Sequence, residues 1–326
     1  MLISFIVPVY NGDKYIEACV TSLLDQGLEK GSFEIILVND GSTDHSEEVC
    51  QALAKRVSCI RVITQRNKGL SEARNTGIRA AQGDYLCHVD VDDTLVSGGI
   101  AKLTSFCMCG WDLIRYWSLM LYPGDVPKIG NDTGEVLFEG TGKDFIRQNG
   151  LETFCWNYLY KKSFVESNGL YFTPGIIGED FPYMFDVMMA DPKIVSVARR
   201  IHLYHINPGS ISTTRTPENS RRWVNDLTDT ITRIAGHVQN FKESDPVLYK
   251  KCLGSLSSKI TILLSRILTS SYSVKEFRSI ISSIKGGGIL KQKLAPCAFI
   301  DRVSYSVLRL LALFPFLYPI ASKVYR

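Results

Sequence analysis

The sequence predicts an α/β fold, a doubly wound mixed sheet with a helical C-terminal extension. Apolar, β-branched runs alternate with amphipathic helical stretches through the first 95 residues. Polar and acidic clusters fall where each run hands over to a turn, and in such sheets ligands sit beyond the carboxyl ends of the strands. From about residue 219 the alternation gives way to helical periodicity.

Residues 2–10 (LISFIVPVY) form a continuous apolar run that fits a strand buried on both faces, with Pro8 near its C-terminal end because proline cannot donate to a ladder. After the Asn11-Gly12-Asp13 turn, Ile16, Cys19, Val20, Leu23 and Leu24 recur at helical spacing up to Gly27. Phe33–Val38 is the second strand, and 46–56 the second helix. Ile60–Thr64 is the third strand. Leu70, Ala73, Gly77, Ile78 and Ala81 mark the inner face of a third helix, and Asp84–Val89 is the fourth strand. Strand and helix at this spacing require right-handed crossovers. Further on, 98–109 reads as helix, 111–117 as strand, and 118–142 as a Gly/Pro/Asp-rich connection with a hairpin near 135–138. An aromatic segment, 154–160, leads to a helix ending at Gly169. Gly178-Glu179-Asp180 opens a helix through Met189, 194–204 is mixed strand, and 205–212 is turn-rich.

A chain of 326 residues with 45% hydrophobic and 21% charged residues can build a sizeable core and is not disordered. The net charge of +4 hides an asymmetry: residues 246–326 carry 13 Lys and Arg against two acids, a net of +11, which leaves −7 for the rest. A basic tail suits an anionic surface. Nine scattered cysteines point to reduced thiols, and Met1-Leu2-Ile3 enters a strand without a basic leader, so a cytoplasmic location is expected. No GxGxxG follows the first strand, HExxH is absent, and Gly142-Lys143 lacks the earlier glycine of a P-loop. Nicotinamide and ATP-hydrolysis chemistries lose their main support, and no nucleic-acid partner is expected.

The chemistry concentrates in Leu86-Cys87-His88-Val89-Asp90-Val91-Asp92-Asp93. Alternation along an extended segment projects Asp90 and Asp92 to one side, with Val91 opposite. Two like charges on one face repel unless a cation lies between them, and oxygen ligands suit Mn²⁺ or Mg²⁺. A surface acidic turn is the plainer alternative. Asp40, at the end of the second strand beside Gly41, suits the imide N–H of a pyrimidine ring; helix capping is its other use. Lys68, Arg74 and Asn75 bracket the start of the third helix, where anions are attracted, and can reach a ribose or phosphate.

The succession FIVPVYN (5–11), EIILVNDGSTD (34–44), NKGLSEARNTGI (67–78), GDYLCHVDVDD (83–93) and GED (178–180) closely resembles glycosyltransferase family 2, the inverting transferases with a GT-A fold, in a bacterial polysaccharide-type member. The resemblance is dense over 3–95 and thinner to about 213. It implies a nucleotide-sugar-binding half at 1–95, an acceptor-binding and catalytic half at 96–215, and a helical region at 216–326. It implies donor contacts at Pro8, Tyr10, Asn11 and Val91, a uracil-reading role for Asp40, and a metal-binding DxD motif at Asp90-Val91-Asp92. By the same resemblance Asp180, in the Glu179-Asp180 pair, is the catalytic base, Trp156 and Asn157 approach the acceptor, and His205 adds a metal or diphosphate contact. The expected partners are a nucleotide-sugar donor, UDP-linked, and a polyprenyl-linked or polysaccharide acceptor.

The tail, 301–326, is rich in Leu, Phe and Tyr with Arg302, Arg309, Lys323 and Arg326 among them. Its apolar run from Leu310 to Ala321 is broken by Pro315 and Pro319 and is too short to span a bilayer. It suits peripheral attachment to an anionic membrane surface at the inner face of the cell membrane. Packing on the protein, or in a homodimer, is the alternative. Two rival functions remain: a sugar nucleotidyltransferase, which would carry a glycine-rich, arginine-containing first loop where Asn11-Gly12-Asp13 stands, and a non-catalytic nucleotide-sugar-binding or scaffold member, which would dispense with Asp90, Asp92 or Asp180.

Overall fold

The computed structural model describes residues 3–130, 132–207, 216–270, 272–286 and 299–325. In chain order the elements are β1 (Ile3–Val9), α1 (Asp13–Leu24), β2 (Phe33–Asn39), α2 (Ser46–Arg56), β3 (Ile60–Thr64), α3 (Leu70–Ala80), β4 (Tyr85–His88), β5 (Thr94–Leu95), α4 (Thr104–Met108), β6 (Leu113–Leu121), β7 (Val136–Thr141), α5 (Gly142–Asn149), β8 (Tyr158–Lys161), α6 (Lys162–Ser167), α7 (Asp180–Met189), β9 (Lys193–His205), α8 (Pro217–Val238), α9 (Phe241–Ser244), α10 (Pro246–Thr269), α11 (Val274–Gly286), α12 (Phe299–Leu313) and α13 (Tyr318–Tyr325). The chain divides into two compact units. The first takes residues 1–142, 154–175 and 186–208, and the second takes 143–153, 176–185 and 209–326.

Among the described residues all nine strands form one sheet of the first unit, in the order β3-β2-β1-β4-β8-β6-β9-β5, with β7 also on β9. β1 to β4 are parallel, as their apolar runs predict: β1 and β2 are buried at every position. α1 turns Ile16, Cys19, Val20 and Leu23 onto the sheet. α3 lies so close to β1 that a Cβ on Gly77 would stand 2.3 Å from Ile6 Cγ2. β8 runs antiparallel to both β4 and β6, and β9 is parallel to β6. β6 and β9 therefore run in the direction of β4, and the C-terminal end of β9 reaches the same sheet edge as that of β4.

Three expectations change. The fourth strand ends at His88, because Asp93 N–H donates to Asp90 O (2.9 Å) and closes a turn over 90–93. The segment near 135–138 is no local hairpin, since β7 pairs antiparallel with β9 more than fifty residues on. The part of the turn-rich 205–212 segment beyond 207 lies outside the described residues.

The second unit is helical. α8 starts at a Thr216 cap that accepts from Asn219 N (3.3 Å), with Pro217 at its first turn. α10 starts at Asp245, which accepts from Leu248 N (3.0 Å) and pairs with Arg147 (2.7 Å). By length and composition α10 could cross a membrane, yet 61% of its most apolar window is buried within the protein, as in a core helix. The tail packs in this unit: Leu308, Leu311, Ala312 and Tyr318 are buried, and the Tyr318 ring stacks on Phe277 at 4.6 Å. Its opposite face leaves Leu310, Leu313, Phe314 and Ile320 exposed.

Candidate active site

The acidic turn after β4 is the centre of the first unit's polar edge. Because 90–93 is a turn, Asp90 and Asp92 do not alternate along a strand; different partners hold each of them. Arg74 of α3 sends Nη2 to Asp90 Oδ1 at 2.6 Å and lays its guanidinium 5.1 Å from the Phe172 ring. Asn207, just past β9, donates Nδ2 to Asp92 Oδ2 at 2.9 Å. Burial pushes the Asp92 carboxyl above its usual value and the charge of Asp90 adds to the push, while the Asn207 bond opposes it. The negative field is felt nearby: burial, then Asp93, Asp90 and Asp92, raise the Cys19 thiol.

Asp93 is almost wholly enclosed. Its Oδ2 lies 2.8 Å from His202 Nε2, and its Oδ1 accepts from His205 N at 2.9 Å. Burial pushes its carboxyl up to about 6, against the His202 contact. The result is a tie between the turn and the end of β9. His205 is part of it, with Nε2 2.9 Å from Thr94 Oγ1.

Among the described residues no group of three His, Cys, Asp or Glu converges as a closed metal cage. An open pair suits Mn²⁺ or Mg²⁺ better than a cage does, because such ions take one or two carboxylates and complete their shell with substrate phosphate and water. A carboxyl raised by a like-charged neighbour is the electrostatic condition a divalent cation relieves. The Asp92 and Asp90 carboxylates therefore have the chemistry a divalent ion would need, whereas the His205 ring is engaged with Thr94.

Around the ends of β1 and β2, Tyr10 is 49% exposed. Asn11, in the left-handed region (φ 50°), accepts from Thr43 N at 2.8 Å. Asp40 is spoken for: it accepts from Gln65 Nε2 (2.7 Å), Lys68 N (2.9 Å) and Gly69 N (2.8 Å), so its carboxylate holds the loop into α3. Gly41 permits this approach, since a Cβ there would meet Asn67 N at 2.7 Å. The Lys68 side chain is exposed, and Val91 packs at Gly12. Two expected donor contacts turn inward. Pro8 is buried in β1, and the Asn75 amide is consumed by the Phe172 backbone, donating to its O and accepting from its N at 2.8 Å each.

Trp156 is half-buried and stacks on Tyr204 at 5.3 Å, with Phe154 at 5.1 Å and 46% exposed. His202 also stacks on it at 6.0 Å, so the exposed ring of this group is Phe154. Tyr158 and Tyr160 are core, and Asn157 is buried.

In the second unit, Asp180 is the first residue of α7 and Glu179 is buried beside it. Gly178 (φ 75°) faces the Trp223 ring, which a Cβ would meet at 3.0 Å, and Ile177 N donates to Asp226 Oδ2 at 2.9 Å. Asn207, Asp93, His202 and Phe154 are the residues sequence reasoning did not assign. Only the carboxyl of Asp93, fourth in the acidic turn, was a visible signal.

Residues 4–108 match the family described as glycosyl transferase family 2. Over 224 residues the chain is 36% identical to the uncharacterized glycosyltransferase EpsJ of Bacillus subtilis, covering 65% of this chain and 63% of that protein. It is 31% identical over 254 residues to the glycosyltransferase GlyG of Streptococcus pneumoniae, covering 71% and 79%. The crystal structure of S. aureus TarS 1–349, in complex with UDP-GlcNAc, superposes with a TM-score of 0.66 at 20% identity over 99% of this chain and 89% of that one; it shares the GT-A fold. An acidic turn at the end of the fourth strand, in this fold and with these relatives, makes the chain a member of glycosyltransferase family 2.

Proposed function

We propose that the protein is an inverting glycosyltransferase of polysaccharide assembly. It moves a sugar from a UDP-linked donor to a hydroxyl of a lipid-linked or polysaccharide acceptor. The observation that carries this reading is the Asp90–Asp93 turn, with one carboxylate fixed by Arg74 and the other by Asn207. Two carboxylates held apart by separate partners form a site that can be completed by the phosphates of a ligand.

Transfer develops negative charge on the departing diphosphate, and a divalent ion at Asp92 and Asp90 would supply the charge stabilisation. Lys68 and Tyr10, both exposed, would contact the donor. The Asp40 carboxylate reads the pyrimidine only if the ring N–H joins or displaces a donor from the 65–69 loop. Asp180 takes the proton from the acceptor hydroxyl as general base. One base and one in-line displacement invert the anomeric centre. Phe154, beside Trp156, offers an apolar face to an acceptor ring. TarS, a fold neighbour, was crystallised with UDP-GlcNAc, which supports a UDP-linked donor. The exposed face of Leu310, Leu313, Phe314 and Ile320, on a region of net positive charge, supports the tail as the contact with an anionic membrane.

The test is a thermal-shift panel of UDP, GDP, dTDP and CMP, each with and without Mn²⁺. A ligand at 100 times its Kd stabilises by about 2.7 kcal/mol, so a metal-dependent shift with UDP alone is the expected result. A flat response to all four would remove the donor reading.

A further inference from the structure

The second unit contains a lysine that the catalytic reading leaves unused. Lys259, on α10, is half-buried; its Nζ donates to Thr153 Oγ1 at 3.1 Å and lies 5.1 Å from the centre of the Phe181 ring. Phe181 is buried and follows Asp180 directly in the first turn of α7. An ammonium drawn out of water is costly unless a partner charge compensates it. Burial pulls the Lys259 ammonium below the usual lysine value, and Asp180 is the charge that pulls it back up.

The turn bearing Asp180 is also fixed from α8, through Trp223 against Gly178 and Asp226 on Ile177 N. Arg266 of α10 lies 5.1 Å over the same Trp223 ring. The helices after residue 216 thus grip the start of α7 by backbone and ring contacts, and add one ammonium anchored beside it.

We propose that Lys259 is a positioning residue for Asp180, a positive charge fixed beside the first turn of α7 that favours the carboxylate form able to accept the acceptor's proton. The proposal rests on Asp180 being the base. Lysine suits the role as a compact charge on a stem that the Phe181 ring and the Thr153 hydroxyl hold in one place. Other ionisable groups around this turn are Glu179 beside Asp180, Glu152 next to Thr153, Asp226 with Arg222 at 3.9 Å on α8, and Arg266 on α10. Lys259, on α10, is a cation that interacts with the Asp180 charge.

Two readouts test it. The first needs no substrate: melting temperatures of wild type, Lys259→Gln, Asp180→Asn and the double variant. Glutamine keeps a donor for Thr153 and removes the charge. If the two charges interact, the losses do not add, and the double variant melts close to the worse single one. Additive losses overturn the proposal. The second is the pH profile of kcat/KM for UDP release from UDP-GlcNAc with Mn²⁺ and water as acceptor. Without the ammonium the acid limb moves up by about one pH unit, and Lys259→Arg restores it. A Lys259→Gln profile that superposes on wild type overturns the proposal. If Asp180→Asn turns over like wild type, the base reading itself is wrong, a failure the melting cycle does not share. Should Lys259→Gln fail to fold, Lys259→Met replaces it in both readouts.

Discussion

Arg74 and Asp90 meet at the base of the acidic turn, Nη2 to Oδ1 at 2.6 Å, with the arginine side chain 1% exposed and the aspartate side chain 22%. A guanidinium this enclosed needs its anion, and the anion stands where the donor's diphosphate is proposed to bind. Stability and binding are therefore joined at one contact. Arg74→Met should lower the unfolding free energy by about 3 kcal/mol, measured by urea denaturation, because it strands a partly buried carboxylate. Arg74→Lys should recover only part, since lysine lacks the planar fork. A Met variant as stable as wild type would show that the pair contributes nothing.

Asp92→Asn should leave the fold intact and remove the Mn²⁺-dependent part of the UDP thermal shift, because asparagine can still meet Asn207 but carries no charge. In the wild type, the metal-dependent shift should fade as the pH falls through the raised Asp92 value, since a protonated carboxyl is no ligand. An undiminished Mn²⁺ effect in the variant would move the ion elsewhere.

His88 sits between rings, 5.4 Å from Tyr160 and 5.3 Å from Phe172, and burial followed by Arg74 drives its imidazole down to about 3. In the unfolded chain it titrates near 6.5. The unfolded chain therefore binds the extra proton between these values. The His88 contribution to stability is whole above pH 6.5 and is lost as the pH falls towards 3. His88→Phe should flatten this limb: relative to pH 7, wild type should lose about 2 kcal/mol more than the variant by pH 4.5, read from urea midpoints. The buried Asp93 titrates in both proteins and drops out of the difference. Parallel pH curves would contradict the assignment.

Gly77→Ala should destabilise by about 2 kcal/mol although alanine is the better helix former, because the added methyl would overlap Ile6 Cγ2 and force α3 off β1. Thermal melts decide it; a stabilised variant would mean that the two elements part without cost.

Phe314→Glu alters the exposed face of the tail and should lower co-sedimentation with anionic vesicles while leaving the melting temperature unchanged. Leu311→Glu, on the buried face, should instead lower the melting temperature by burying a charge. Vesicle binding by Phe314→Glu equal to wild type would leave the tail a purely structural element.

The first ninety residues were legible because each strand–turn–helix unit is local and its apolar pattern is strong: α2 and β3 fall on the expected boundaries. β5 and β7 were not. A two-residue strand has no period, and β7 exposes both faces, so its place is set by β9 rather than by its own sequence. Asp90 and Asp92 were visible as an acidic cluster, but not their geometry, since the Asp93 N–H turns the chain back at Asp90. Asn75 reads as a donor contact and proves to be a clamp on Phe172. Asn207 and His202 find partners more than a hundred residues away, and pairings at that distance leave no local pattern to read.

The sheet of the first unit changes character where β4 meets β8, and that seam is three residue pairs long: Tyr85 with Lys161, Leu86 with Tyr160, Cys87 with Leu159. Every strand on the β1 side is encoded without interruption by residues 3–88. Recombination between related genes near codon 95 therefore exchanges that half as a block. What a chimaera must preserve includes the three-pair seam, the Asn75 clamp on Phe172, the Tyr85 hydroxyl on Cys107 and Trp111, and the bonds from Asp92 and Asp93 to Asn207, His202 and the His205 backbone. Two stretches of the chain, joined by few bonds at the sheet seam, thus close on one acidic turn.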